Sequence, residues 1–167
     1  KCGFRESDNQ CYGCDSSMSI YNDSVYYNYY CSRIYMSSID DLMRPQSCVR
    51  FQRDKYYNYT KCRCNTTDFC AQEMLGKQTL NSDKVTCYVD TNGNDTCKGD
   101  LCYVTRQLDW YIVKGGIERG CITNNETLFA GLYQVGSMKS VDLEIAICNV
   151  TLCNADVNSA KKNRPGT

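Results

Sequence analysis

The sequence predicts a small all-β fold, framed by disulfides and divided into two units, and three observations carry that prediction. Fourteen cysteines occur in 167 residues, and they separate into a run of eight, from Cys2 to Cys70, and a run of six, from Cys87 to Cys153. Both runs are even, so each half can close its own set of bonds. The apolar residues alternate with a period of two over short stretches, the signature of strands with one face turned inward. Long helical periodicity is missing: the one helical segment expected in the first half is Ser37 to Met43, where Ser37 or Ser38 can cap and Pro45 stops the chain.

Such a density of cysteine belongs to an oxidising compartment, because cytosolic reductants would hold structural pairs open. The chain is read as extracellular, secreted or attached to a cell surface. Six glycosylation acceptor sites agree with that reading, at Asn22, Asn58, Asn65, Asn94, Asn125 and Asn149. The chain has no histidine, and the pairs Cys62/Cys64 and Cys11/Cys14 lack partners at zinc-site spacing, so no metal is expected. Nineteen basic and nineteen acidic residues cancel. With no basic tract to lie along phosphates, nucleic acid is not an expected partner. The apolar runs are far too short to span a membrane. Any attachment to a membrane is expected through a segment outside these residues, beyond Thr167.

The first unit covers residues 1–75. Its opening stretch, Gly3 to Gln10, is a stub between cysteines, and the stretch between Cys14 and Cys31 is rich in tyrosine. Ten of the fourteen tyrosines precede residue 60. Neighbouring pairs such as Tyr26-Tyr27 and Tyr29-Tyr30 must send one ring to each side of a strand. Residues 76–83 carry no cysteine and read as a linker. The second unit covers residues 84–155. It opens with Tyr88 to Thr96, where Asn92-Gly93 signals a tight hairpin turn. Leu101 to Thr105 and Tyr111 to Val113 are rich in β-branched and aromatic residues, and Gly115-Gly116 allows a turn or bulge before Ile117. In Asp142 to Cys148 the alternation places Leu143, Ile145 and Ile147 on one face. The polar residues 156–167 are expected to be a disordered tail.

The segment Cys148-Asn149-Val150-Thr151-Leu152-Cys153-Asn154 resembles the closing signature of the Ly6/uPAR three-finger domains, a small cysteine loop followed by Asn. Cys64 to Cys70 resembles a second copy, with Ala71 in place of the Asn. Cys87-Tyr88, Cys97-Lys98-Gly99-Asp100-Leu101-Cys102-Tyr103 and Gly120-Cys121 resemble the family's other landmarks, nearest to the nematode branch described as ET modules. The resemblance implies two tandem three-finger domains of the Ly6/uPAR and snake-toxin type. It implies the pairs Cys2–Cys14, Cys11–Cys31, Cys48–Cys62 and Cys64–Cys70 in the first, and Cys87–Cys102, Cys97–Cys121 and Cys148–Cys153 in the second. The second unit lacks a counterpart of Cys48–Cys62, which implies a looser third finger. Closing the loop from Cys87 to Cys102 is worth about 3 kcal/mol in the chain-entropy account.

Catalysis is not expected. Without histidine, and with every cysteine committed to a pair, nothing resembles a nucleophile beside a base. Asp40-Asp41 point apart as neighbours do, and Asp90 to Asp95 lacks the spacing and closing Glu of a calcium loop. Recognition of an extracellular or cell-surface protein is the expected class, through fingertips or a broad sheet face, with no cofactor. The expected contact residues are Leu108, Asp109, Trp110 and Tyr111 at the second unit's middle fingertip, and Tyr26, Tyr27, Tyr29 and Tyr30 in the first unit. Phe129 and Tyr133 join them from the third finger, whose apolar residues could instead cover the sheet edge or cap the seam between the units. A receptor or co-receptor ectodomain leads; a soluble modulator of another receptor or channel, and a structural spacer in a surface layer, are the alternatives.

Overall fold

A computed structural model describes residues 14–21, 24–31, 39–43, 46–54, 57–64, 70–75, 82–89, 94–108, 116–124 and 133–163. The protein is predominantly β-sheet and rich in disulfides. Ten strands are present among these residues: β1 Cys14–Tyr21, β2 Ser24–Cys31, β3 Ser47–Gln52, β4 Asn58–Cys64, β5 Val85–Val89, β6 Asp95–Gly99, β7 Leu101–Gln107, β8 Ile117–Asn124, β9 Gly136–Lys139 and β10 Leu143–Cys148. A 3-10 helix spans Ile39–Leu42, within the segment expected to be helical. Two short helices complete the set, α1 Cys70–Leu75 and α2 Val157–Lys162.

Eight strands form one antiparallel sheet in the order β2-β1-β4-β3-β8-β7-β10-β9, and β5 with β6 makes a separate hairpin. The order is a four-strand pattern written twice. Cys31, Cys14 and Cys64 stand side by side across β2, β1 and β4. Cys121, Cys102 and Cys148 stand in the same way across β8, β7 and β10. Each rung of cysteines marks the end of the sheet from which the hairpins run. The two patterns join where β3 pairs with β8, Phe51 opposite Ile122 and Gln52 opposite Cys121. The halves expected as tandem units therefore share one sheet.

They also share a core. On one face Ile39, Met43, Val49, Phe51 and Tyr59 from the first half pack with Leu101, Tyr103, Ile122, Tyr133, Leu143, Ile145 and Ile147 from the second. The other face carries two smaller clusters, one around Cys48, Cys62, Cys64 and Leu75 beneath α1. The second lies under the β5/β6 hairpin and α2 and includes Val85, Val89, Val104, Ala146, Val157 and Ala160. Strand β10 is thus buried on both sides, Leu143, Ile145 and Ile147 toward the shared core and Ala146 toward the helix. Clusters of this size cannot carry the fold by area alone, and cross-links take up part of the load.

Five disulfides are present among the described residues: Cys48–Cys62, Cys64–Cys70, Cys87–Cys102, Cys97–Cys121 and Cys148–Cys153. Each is a pair that the three-finger resemblance implies; of the implied pairs Cys2–Cys14 and Cys11–Cys31, Cys2 and Cys11 lie outside the described residues. The second half has Ser137 opposite Ala146 where the first has Cys48 opposite Cys62, so the missing bond is a substitution at one rung. The linker's residues 76–81 lie outside the described residues as well.

The tail departs from expectation. Residues 157–162 form a helix, and Asp156 caps it by accepting hydrogen bonds from the backbone N–H groups of Asn158 and Ser159. Val157 and Ala160 are buried against β10 and its neighbours. Two small apolar residues three apart face the same side of a helix, a signal too short to stand out within a polar segment.

Candidate interaction surface

The closing loop and Asn154 hold the second half's hairpins together. Asn154 is 0% exposed, and its side-chain amide donates to the carbonyls of Tyr88 and Tyr103 at 2.9 Å each. Its Oδ1 accepts from the Tyr88 N–H at 2.9 Å. One side chain thus fastens β5 and β7 to the segment after Cys153. Leu152, at a positive φ of 60°, donates its N–H to the Thr86 carbonyl at 2.7 Å. The Asn that ends the resembling signature has a physical role: it pairs the Tyr88 N–H and carbonyl and adds a second donor to the Tyr103 carbonyl.

Beside α2, Glu144 is buried between Arg106 and Lys161, paired with both. The Lys161 hydrogen bond, aided by Arg106, holds its carboxyl below the ordinary range against the opposing effect of burial. The hydroxyl and N–H of Ser159 lower Asp156 in the same sense. These contacts lock the helix to the sheet, and strand alternation alone reads Glu144 as a solvent-facing residue.

The seam is built from side chains of both halves. At Gly120 an added Cβ would lie 2.0 Å from the Gln52 carbonyl oxygen of the adjacent strand and 2.7 Å from the Tyr103 ring. Only glycine lets β3 lie against β8 there. The buried Tyr103 hydroxyl donates to Glu118 at 2.9 Å, and burial first, then the Glu118 charge, pushes its phenol well up. Arg53 pairs with Glu118 at 3.1 Å and lies over the Tyr59 ring at 4.8 Å. Phe51 meets Tyr103 and Tyr133 edge-on.

Tyr133 is buried, at 4% exposure, and its hydroxyl donates to the Ile39 carbonyl at 2.9 Å. It caps the seam and offers no surface to a partner, the second of the two roles open to its segment. Tyr26 stands 54% exposed on β2. Leu108 is half-buried at the end of β7, its N–H bonded to the Asp142 carbonyl at 2.8 Å. Asp109, Trp110, Tyr111 and Phe129 lie outside the described residues, as do the side chains of Tyr27, Tyr29 and Tyr30. Of the acceptor sites, Asn94 and Asn149 are exposed. Asn58 is half-buried on β4 and accepts a hydrogen bond from Arg50 at 3.4 Å, while Asn22, Asn65 and Asn125 lie outside the described residues.

Over the seam, on the face opposite the shared core, a polar groove of about 450 Å³ is lined by Arg50, Gln52, Ser82, Asp83, Lys98 and Thr123. It exists because β3 and β8 are joined. Sequence reasoning missed it, since its residues come from four separate stretches. Among the described residues no group of three His, Cys, Asp or Glu side chains is placed to hold a metal.

Residues 80–158 match a family described as a domain of unknown function (DUF7622). The match takes in β5 to β10, three disulfides, Gly120 and Asn154. No curated protein matches the chain.

Proposed function

We propose that this chain is an extracellular protein-recognition ectodomain built from two Ly6/uPAR-like three-finger units, nearest to the ET-module branch, that act as one body. The doubled rung of cysteines is the observation that carries this reading: in each half three strands are gathered at a cysteine rung, and hairpins run from it as fingers. The described disulfides support an oxidising compartment, and exposed Asn94 and Asn149 are open to glycan attachment.

Binding through Tyr26 and the neighbouring tyrosines of β2, and through Trp110 with Leu108, Asp109 and Tyr111, follows from what such residues offer. The tyrosines and Trp110 supply large contact area with few rotors and a polar tip. Tyr26 on β2 and Leu108 just after β7 stand on one sheet, which favours a partner that touches both regions. The chemistry in view is recognition without catalysis.

The test is a cell-surface binding screen with the glycosylated chain, repeated with Tyr26→Ala and Trp110→Ala. A recognition module loses its partner at unchanged secretion in at least one variant. Binding that survives both substitutions refutes the assignment and favours a spacer in a surface layer.

A further inference from the structure

Five large apolar side chains stand exposed among the described residues, and two of them, Val150 at 47% and Leu152 at 38%, share the loop closed by Cys148–Cys153. The backbone of this loop is pinned. The Cys153 N–H donates to the Val150 carbonyl at 3.2 Å, closing a turn whose third residue is Leu152 at a φ of 60°. The Leu152 N–H bonds to the Thr86 carbonyl at 2.7 Å, and the Thr151 hydroxyl accepts from the Thr86 N–H at 3.4 Å. Glycine or asparagine suits that backbone. A leucine there carries strain and still leaves its side chain half in water, so neither the turn nor the core accounts for it. The pair flanks a glycosylation acceptor: Asn149 directly precedes Val150 and is itself exposed.

We propose that this loop is the seat of its own glycan: Asn149 is N-glycosylated, and the first N-acetylglucosamine lies across Val150 and Leu152 and steadies the closing loop. Attachment joins the Asn149 side-chain nitrogen to C1 of the sugar and releases a proton. The donor, a lipid-linked oligosaccharyl diphosphate of the secretory pathway, gives up its diphosphate. The C–H face and N-acetyl methyl of the sugar are apolar, and covalent attachment beside the two side chains gives them a high effective concentration there. The other described acceptors lack such a seat. Asn94, also exposed, is followed by Asp95 and Thr96, and Asn58 is half-buried and takes a hydrogen bond from Arg50. A sugar on this loop also shelters the bonds from Thr86 that tie β5 to it. It occupies the loop's apolar surface, so a protein partner binds elsewhere.

The experiment uses the full chain secreted from eukaryotic cells with high-mannose glycans. Intact-glycopeptide mass spectrometry is expected to find Asn149 occupied. Trimming every glycan to its first sugar with an endoglycosidase is expected to leave the unfolding midpoint in place, while Asn149→Gln lowers it by about 2–4 °C. The change is made at Asn149 because the Thr151 hydroxyl holds the Thr86 N–H. Leu152→Asn then isolates the contact. Asparagine suits the positive φ, so in the Asn149→Gln chain it is expected to raise the midpoint; in the glycosylated chain it loses the sugar and is expected to lower it. An unoccupied Asn149 overturns the proposal. So do equal effects of Leu152→Asn in the two backgrounds, or a trimmed chain that falls as far as Asn149→Gln. Should either variant fail to be secreted, nuclear Overhauser contacts between the N-acetyl methyl and the Leu152 methyls of the trimmed wild type decide, and their absence overturns it. The proposal rests on the extracellular reading: no glycan at any acceptor site counts against both, whereas an occupied Asn149 with equal midpoint effects counts against this proposal alone.

Discussion

Replacing Asn154 with alanine removes a side chain that ties both β5 and β7 to the segment after the closing loop. The substitution strips the carbonyls of Tyr88 and Tyr103 of a donor and the Tyr88 N–H of an acceptor. A buried polar group left without a partner costs about 1–3 kcal/mol. The Tyr103 carbonyl, in a fully buried residue, stands opposite Gly120 in the β7–β8 ladder, so it loses one of two partners and bears only part of that cost. Tyr88 is half-buried, so water meets part of its loss. The sum is about 2–3 kcal/mol, a sizeable share of the roughly 5–15 kcal/mol that holds a domain together. At this chain length it corresponds to a fall in midpoint temperature of about 6 °C. Thermal and urea unfolding with the disulfides intact measure it, as a lower midpoint at unchanged denaturant slope. Asn154→Asp keeps an acceptor for Tyr88 but turns a carboxylate toward two carbonyls, and it is expected to do no better than alanine. A loss below about 1 kcal/mol for Asn154→Ala would refute the argument that these bonds are the fastening of the second half.

Gly120→Ala drives a methyl group into the Gln52 carbonyl and is expected to cost at least about 3 kcal/mol, with faster hydrogen exchange along β3 and β8 ahead of the outer strands. Tyr133→Phe removes the side-chain donor to the Ile39 carbonyl and is expected to cost about 1 kcal/mol, read by chemical denaturation. Introducing the missing brace with Ser137→Cys and Ala146→Cys, which face each other as Cys48 and Cys62 do, is expected to add about 2–3 kcal/mol and to raise the midpoint. Glu144 and Asp156 are both held below their ordinary values. Their contribution is complete above the ordinary carboxylate range and is lost as pH falls through the depressed folded-state values. Protection of the Ala160 and Asn163 amides, which bond within α2, measured against their intrinsic exchange rates, should therefore fall at acid pH before that of the sheet.

Much of the architecture was legible because it is local. Strand alternation placed Leu143, Ile145 and Ile147 on one face, and all three line the shared core. The helical segment before Pro45 appears as the short 3-10 helix. Glu144 and α2 were not legible in the same way. A lone acidic residue in an alternating strand and two small apolar residues in a polar tail acquire meaning only when Lys161 and Arg106 arrive beside them. Tyr133 shows the same limit: its apolar surroundings suited a surface contact or a seam, and packing on Phe51 with a bond to Ile39 makes it seam.

By itself the sequence determined a β-rich, cross-linked chain in two related halves, because cysteine spacing and period-two alternation act over short distances. Tertiary structure alone decided that the halves are one sheet with one core. The pairing of β3 with β8 joins segments far apart in the chain, and it rests on a close approach at Gly120 that shows only when the Gln52 carbonyl is set against it. A glycine before a cysteine looks alike whether it ends a finger or admits a neighbouring strand; the backbone packed over it makes the difference.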